Sequence, residues 1–290
     1  MAEANQSTWD LATKAMTEHR FAEAGRLFGQ LHVLHPDDES IAMEVDRVKS
    51  FTPDFVAGLR AKDGEKLRKR IYIMGCGRSG TTLLLSMMRC FADTFVLIDP
   101  KRGGEDVVAR FGMLDAPEPI HVIKRDSIAY RFAGLIPDCI EILYVIRHPL
   151  DILASDLKLN QLWERYIKPD RWRPEMSALR ELIERRPILV VRYEDLVADP
   201  DRVQSVIGSR FGLRASVPFS RFHEAFDPGE IISQTMNGIR APSMASIGRW
   251  SKTPESIAYF RSLWPGVKAD VKWVCERFGY DFNAISALLD

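Results

Sequence analysis

The sequence predicts an α/β fold of the P-loop type. A central, mostly parallel five-stranded sheet is covered on both faces in a three-layer arrangement, and a small N-terminal α-helical hairpin precedes it. Three observations carry this. Five short apolar runs, each ending in polar or charged residues, alternate with helical stretches. A glycine-rich turn, Gly75 to Thr82, joins the first run to a helix. Residues 7–50 carry apolar residues at helical spacing, with no strand signal.

In chain order, Leu11, Ala12, Ala15 and Met16 share one helical face. Phe21, Ala24, Leu27, Phe28 and Leu31 form a second stripe, closed by His35-Pro36. Asp37 or Asp38 is placed to cap a third helix carrying Ile41, Val45 and Val48. The order Leu11, Ala12, Ala15, Ala24, Phe28, Leu31, Pro36 resembles one tetratricopeptide unit, with Trp9 one position out of register. One such unit cannot bury its own face, so the helices are expected to dock on the main domain or on another chain. Pro53, Gly58, Gly64 and six basic residues from Arg60 to Arg70 read as a connector. The division is therefore 1–55 helical, 56–69 linker and 70–290 main domain.

The five strand-like runs are Ile71–Met74, Thr94–Ile98, Pro119–Ile123, Glu141–Ile146 and Pro187–Val191. Pro149 opens a helix read as Pro149–Leu159, where its missing N–H costs nothing. Ligands of parallel α/β sheets bind beyond the carboxyl ends of the strands. Each run here ends there in polar groups, such as Lys124-Arg125-Asp126, Arg147-His148 and Arg192-Tyr193-Glu194-Asp195.

Composition narrows the function. With 40 basic and 40 acidic residues there is no bulk attraction to nucleic acid or a membrane surface. Residues 1–60 hold six Lys/Arg against ten Asp/Glu, so the remainder is mildly basic, which suits an anionic ligand. Cys76, Cys90, Cys139 and Cys275 show neither zinc-site nor disulfide spacing. The first residues lack a signal-peptide core, and no apolar run reaches the roughly 18 residues of a membrane span. A cytoplasmic location is the expectation.

The chemistry is expected at Gly75-Cys76-Gly77-Arg78-Ser79-Gly80-Thr81-Thr82. A strand, a glycine-rich turn and a helix N-terminus direct backbone N–H groups at an anion. Gly75, Gly80 and Thr82 have the spacing of the ATP/GTP loop, but its Lys position holds the uncharged Thr81. The cation sits three residues earlier, at Arg78. This argues against ordinary triphosphate hydrolysis and implies no metal. Arg147 ends the fourth strand, and Ser155 lies eight residues on. An arginine and a hydroxyl so placed could close on one phosphate from two sides.

With these pieces in hand, the sequence resembles the sulfotransferases that use 3′-phosphoadenosine-5′-phosphosulfate (PAPS). The matching stretches are GRSGTT at 77–82, IRHPLDILAS at 146–155, VRYEDLVADP at 191–200 and IGRW at 247–250. They fall in the family's order over roughly residues 70–280. The RSGTT form is closer to the tyrosylprotein and bacterial carbohydrate branches than to the small-phenol branch. The resemblance implies that Arg78, Ser79, Gly80, Thr81 and Thr82 hold the 5′-phosphosulfate. Arg147 and Ser155 would hold the 3′-phosphate, with Arg240 reaching it from a late loop and Ser233 as a looser match. Tyr193 would pack near adenine, and Arg249 and Trp250 would order the late loop.

The implied reaction is in-line transfer of a sulfuryl group to a hydroxyl or amine, releasing PAP, the 3′,5′-bisphosphate product. It needs cations on the bridging and equatorial oxygens and a base for the acceptor proton. Arg78 is one cation and Lys124 the second, with Arg125 the neighbouring alternative. The base departs from the family pattern: the small-phenol branch has His where this chain has Asp126. The candidates are Asp99 and Glu105, with Asp126 behind them. Two other functions are open: a P-loop kinase or NTPase with an unusual loop, and a non-catalytic PAP-binding interaction module. The acceptor pocket is expected from residues 101–117, 160–174 and 214–246. Trp163, Tyr166 and Trp172 could stack on sugar faces there, so a carbohydrate or glycolipid hydroxyl leads. A protein partner or a second copy is expected at the N-terminal helices.

Overall fold

A computed structural model describes all residues except 1, 19, 62–68, 98–110, 112–113, 115, 125–129, 131–132, 160–161, 166 and 226–240. Its centre is a five-stranded parallel sheet, β1 (Lys69–Met74), β2 (Thr94–Leu97), β3 (Ile120–Lys124), β4 (Ile140–Ile146) and β7 (Leu189–Arg192), in the order β2-β3-β1-β4-β7. The parallel registers run Thr94 to Leu97 against Ile120 to Ile123, and Leu143 to Ile146 against Leu189 to Arg192. The apolar runs are buried on β1 and β4, as expected of strands covered on both faces. Each strand lies within one or two residues of its sequence-predicted position.

The chain forms two compact units. One comprises Met1–Tyr72, Asp93–Arg125 and Phe132–Glu141. It opens with α1 (Ala2–Thr17), α2 (Phe21–Leu34) and α3 (Glu39–Ser50). Ala12, Ala15 and Met16 of α1 and Ala24, Phe28 and Leu31 of α2 are buried, all essentially without exposure. Leu11 instead stands 54% exposed, outside that stripe. Trp9 sets its ring edge-on to Phe28 at 5.4 Å. Of the two candidate caps, Asp38 is used: its carboxylate accepts from the amides of Ser40 at 2.9 Å and Ile41 at 3.4 Å. Part of the expected connector is a helix, α4 (Pro53–Ala61), begun by a proline in its first turn. Arg70, 2% exposed on β1, donates to the Leu59 carbonyl of α4.

The other unit comprises Ile73–Ala92, Asp126–Arg131 and Ile142–Asp290. It carries α5 (Thr81–Met88), α6 (Pro149–Leu153), α7 (Pro169–Arg185), α8 (Tyr193–Ala198), α9 (Pro200–Phe211), α10 (Phe222–Ala225), α11 (Pro254–Phe278) and α12 (Phe282–Leu289). Trp172, Leu179 and Leu182 of α7 and Val267, Val271 and Val274 of α11 are buried, and an Arg173–Asp270 ion pair links the two helices. The expected helix Pro149–Leu159 forms only over its first half. Proline does open α6, but the helix stops at Leu153, where the amides of Ala154 and Ser155 close the last turn. Residues 156–159 and 162–165 form an antiparallel pair instead, β5 (Asp156–Leu159) and β6 (Leu162–Arg165). Asp-Leu-Lys-Leu alternates polar and apolar residues with period two, a strand signal that overrides continuation of the helix. Ser155 therefore lies just beyond the helix end rather than two turns within it. Among the described residues no helix is long and apolar enough to cross a membrane.

Candidate active site

The loop after β1 is shaped by backbone that side chains would obstruct. Gly75 has φ +153°, and a Cβ there would lie 2.6 Å from the Val145 carbonyl oxygen. Gly80, at φ +100°, begins α5, and a Cβ on it would lie 2.4 Å from Cδ2 of Tyr193. The Tyr193 ring thus sits directly on the loop. Between the glycines Arg78 adopts φ +71°, a left-handed conformation that a long side chain rarely takes. Residues held in such conformations cluster at functional sites. The Ser79 amide donates to the Cys76 carbonyl at 3.0 Å, and its hydroxyl is fully buried without a hydrogen-bond partner. Thr81 and Thr82 are the first two residues of α5, where helix geometry leaves amides without intrahelical acceptors.

Three other elements converge on this loop. The Arg78 Nε–H donates to the Ser155 hydroxyl at 2.9 Å. Arg147, 7% exposed at the end of β4, donates through Nη1 to the Arg78 carbonyl at 2.9 Å and through Nη2 to the Ser246 carbonyl at 2.7 Å. Its guanidinium also lies 4.6 Å over the Tyr193 ring. Two carbonyls and a ring face satisfy part of this buried guanidinium. The Arg147 Nε is buried and has no hydrogen-bond partner. The Tyr193 hydroxyl and the Ser246 hydroxyl share a 2.6 Å hydrogen bond.

Two carboxylates frame this cluster. Asp151, 2% exposed on α6, accepts from the Gly248 amide at 2.7 Å and the Trp250 amide at 3.2 Å. Glu194 accepts from the His148 amide at 2.9 Å and from the Tyr280 hydroxyl at 2.8 Å. His148 stacks on Trp250 with ring centroids 5.7 Å apart and planes 9° from parallel. Burial lowers the His148 pKa to about 4; the Asp151 charge opposes this, and Arg147 and Arg192 add to it. Burial likewise pushes the Tyr280 hydroxyl up, with the Glu194 charge adding to the shift.

Arg78, Ser155, Arg147 and Tyr193, chosen from sequence, are thus brought together with Gly80 in one unit. Thr81 is buried and Thr82 partly so, at the start of α5. Lys124 closes β3 and is half-buried. Asp99, Glu105, Arg125, Asp126, Ser233 and Arg240 lie outside the described residues. Trp172 is fully buried in the core of its unit, which removes it from any sugar-stacking role. Trp250 is buried against His148, whereas Arg249 is exposed. Sequence reading missed Asp151, Glu194 and Ser246. The first two sit inside matching stretches, beside residues already singled out, but a carboxylate that accepts main-chain amides leaves no spacing pattern.

The donor set, a left-handed loop with an arginine, a helix start and a second arginine with a spare buried N–H, is chemistry that suits an anion. Among the described residues no cluster of three His, Cys, Asp or Glu could hold a metal ion. No family model matches the chain, and no curated protein matches it. Among solved structures, the sulfotransferase domain from the Synechococcus PCC 7002 olefin synthase matches with a TM-score of 0.55 at 15% identity, over 75% of this chain and 97% of that domain. Mouse sulfotransferase SULT7A1 complexed with PAP matches with a TM-score of 0.44 at 16% identity, over 72% and 88%. At such identities the likeness is one of fold, and the fold is the α/β layer of that olefin synthase sulfotransferase domain.

Proposed function

We propose that this chain is a PAPS-dependent sulfotransferase. The observation that carries the reading is the joining of Arg78 to Ser155, and of Arg147 to Tyr193 and the Arg78 carbonyl, around a loop whose P-loop lysine is replaced by Thr81. The fold shared with a sulfotransferase domain supports it. In this reading Arg78, Ser79, Gly80, Thr81 and Thr82 hold the 5′-phosphosulfate. Arg147, Ser155 and Arg240 hold the 3′-phosphate, and Tyr193 lies beside the adenosine.

The sulfur–oxygen bond to the bridging oxygen breaks as a bond from sulfur to the acceptor oxygen forms, and PAP leaves. Arg78 and Lys124 neutralise charge on the bridging and equatorial oxygens, the kind of preorganised electrostatics that dominates such transfers. The acceptor proton passes to a carboxylate, with Asp99 and Glu105 the candidates. No metal takes part. The acceptor is a carbohydrate or glycolipid hydroxyl, and the enzyme is cytoplasmic. The exposed Leu11, Val33 and Leu34 of α1 and α2 offer a surface for a protein partner or a second copy.

The test is transfer of radiolabelled sulfate from PAPS to a panel of glycans, phenols and peptides, with Arg78→Ala as the blank. Label on a glycan that disappears in the variant supports the reading, and label that survives removes Arg78 from the chemistry. A kinase or NTPase is the second reading, favoured by the Gly75–Gly80 spacing and Thr82. It requires stabilisation by ATP with Mg²⁺ and none by PAP.

A further inference from the structure

The turn at residues 246–250 touches the candidate site twice through one residue. The Ser246 carbonyl accepts from Arg147, and the Ser246 hydroxyl bonds to that of Tyr193. Gly248 passes through φ +69°. The turn in turn hangs from Asp151, whose two carboxylate oxygens each take one of its main-chain amides, 97 and 99 residues away in sequence. Asp151 itself is fixed, buried within a five-residue helix that begins two residues after Arg147. Charge-assisted hydrogen bonds of this kind are stronger and geometrically stricter than neutral ones. One carboxylate therefore sets where Ser246 sits, and the Ser246 carbonyl holds Arg147.

We propose that Asp151 is a positioning residue: by pinning the 246–250 turn it places Ser246, and through the Ser246 carbonyl it aims Arg147 at the 3′-phosphate end of the nucleotide. The identity of that ligand rests on the PAPS reading; the pin itself does not. Asp151 touches no reacting atom. Its removal selectively loosens the half of the site built on Arg147 and leaves the Arg78 loop, held by Gly75 and Gly80, in place.

The test compares wild type with Asp151→Asn, in which one of the two acceptors becomes a donor facing an amide N–H. Hydrogen exchange of the Gly248 and Trp250 amides is measured without ligand. Affinity is measured by calorimetry for PAP and for adenosine 5′-monophosphate, which lacks the 3′-phosphate. The same pair of ligands is then used with Arg147→Ala and with the double variant. Asp151→Asn is expected to speed exchange of both amides and to weaken PAP about tenfold, the size of one lost charge-assisted bond. The monophosphate stays within about twofold, and in the Arg147→Ala background the second substitution adds less than about twofold, as coupled residues require.

Equal weakening of both ligands, or losses that multiply in the double variant, would mean that Asp151 only supports the fold and would overturn the proposal. If Asp151→Asn does not fold, Asp151→Ser keeps one short acceptor and is expected to show the same selectivity at smaller size. Wild-type protein that does not bind PAP overturns the donor reading, and the exchange arm then decides the pin alone, with unchanged exchange at both amides refuting it.

Discussion

The N-terminal helices and the loop unit satisfy their polar groups in opposite ways. In α1 to α3 most partners are neighbours in sequence, with the Asn5–His35 hydrogen bond the exception. Arg20 pairs with Glu18 and Glu23, Lys49 with Asp46, and Asp38 caps its own helix. These side chains are largely exposed, and each bond is closed within one helical turn. Around the loop after β1 the partners are remote. Arg78 reaches Ser155 across 77 residues, Arg147 reaches Ser246 across 99, and Tyr193 reaches Ser246 across 53. Local bonds set helix ends and can be lost one by one. Remote bonds meet at shared residues, Arg78, Arg147 and Ser246, so their contributions are coupled.

That contrast breaks or holds at named positions. The largest effect is expected at Arg78, where alanine lowers the rate of sulfate transfer by about 10²–10³-fold, the usual loss for one transition-state donor. Single-turnover kinetics with labelled PAPS reads it. Next is Gly80→Ala, whose Cβ meets the Tyr193 ring at 2.4 Å in backbone at φ +100°. Urea unfolding should show a loss of about 2–3 kcal/mol, together with loss of PAP binding.

His148 gives the third. Its imidazole titrates at about 4 when folded and near 6.5 when free, so the unfolded chain binds more protons between those values. Stability is complete above pH 6.5 and is lost as pH falls toward 4, by roughly 2–3 kcal/mol. Urea titrations at pH 7 and 4.5 should differ by that much less in His148→Asn. In the helical segment the effects shrink. Asp38→Ala should cost about 1 kcal/mol as a lost cap and leave PAP affinity unchanged. Lys49→Ala should change stability by less than about 0.5 kcal/mol, with binding again unaffected. A large binding loss from either would erase the distinction between the two regions.

The same contrast explains what the sequence made legible. Strands and helices announce themselves by period, so β1 to β4 and β7 lay near their expected places and the cap came down to two adjacent aspartates. Arg78 stood out as the cation of a glycine-rich turn and Arg147 with Ser155 as a strand-end pair, whereas Tyr193 came from the family resemblance alone. Asp151, Glu194 and Ser246 carry no such mark: their roles depend on which amide or hydroxyl the fold brings to them. The helix expected to run to Leu159 ended at Leu153 because proline fixes a helix start and says nothing of its length. The connector held α4 because its glycine and basic residues hid a nine-residue helix begun by Pro53.

The most direct test of the central claim is a thermal-shift comparison of PAP, ATP with Mg²⁺, and GTP, on wild type and Arg147→Ala. The account predicts that PAP alone raises the melting temperature of wild type, by the equivalent of about 2.7 kcal/mol at a hundredfold excess over Kd, and that Arg147→Ala removes most of that shift. Stabilisation by ATP with Mg²⁺ and none by PAP would contradict it.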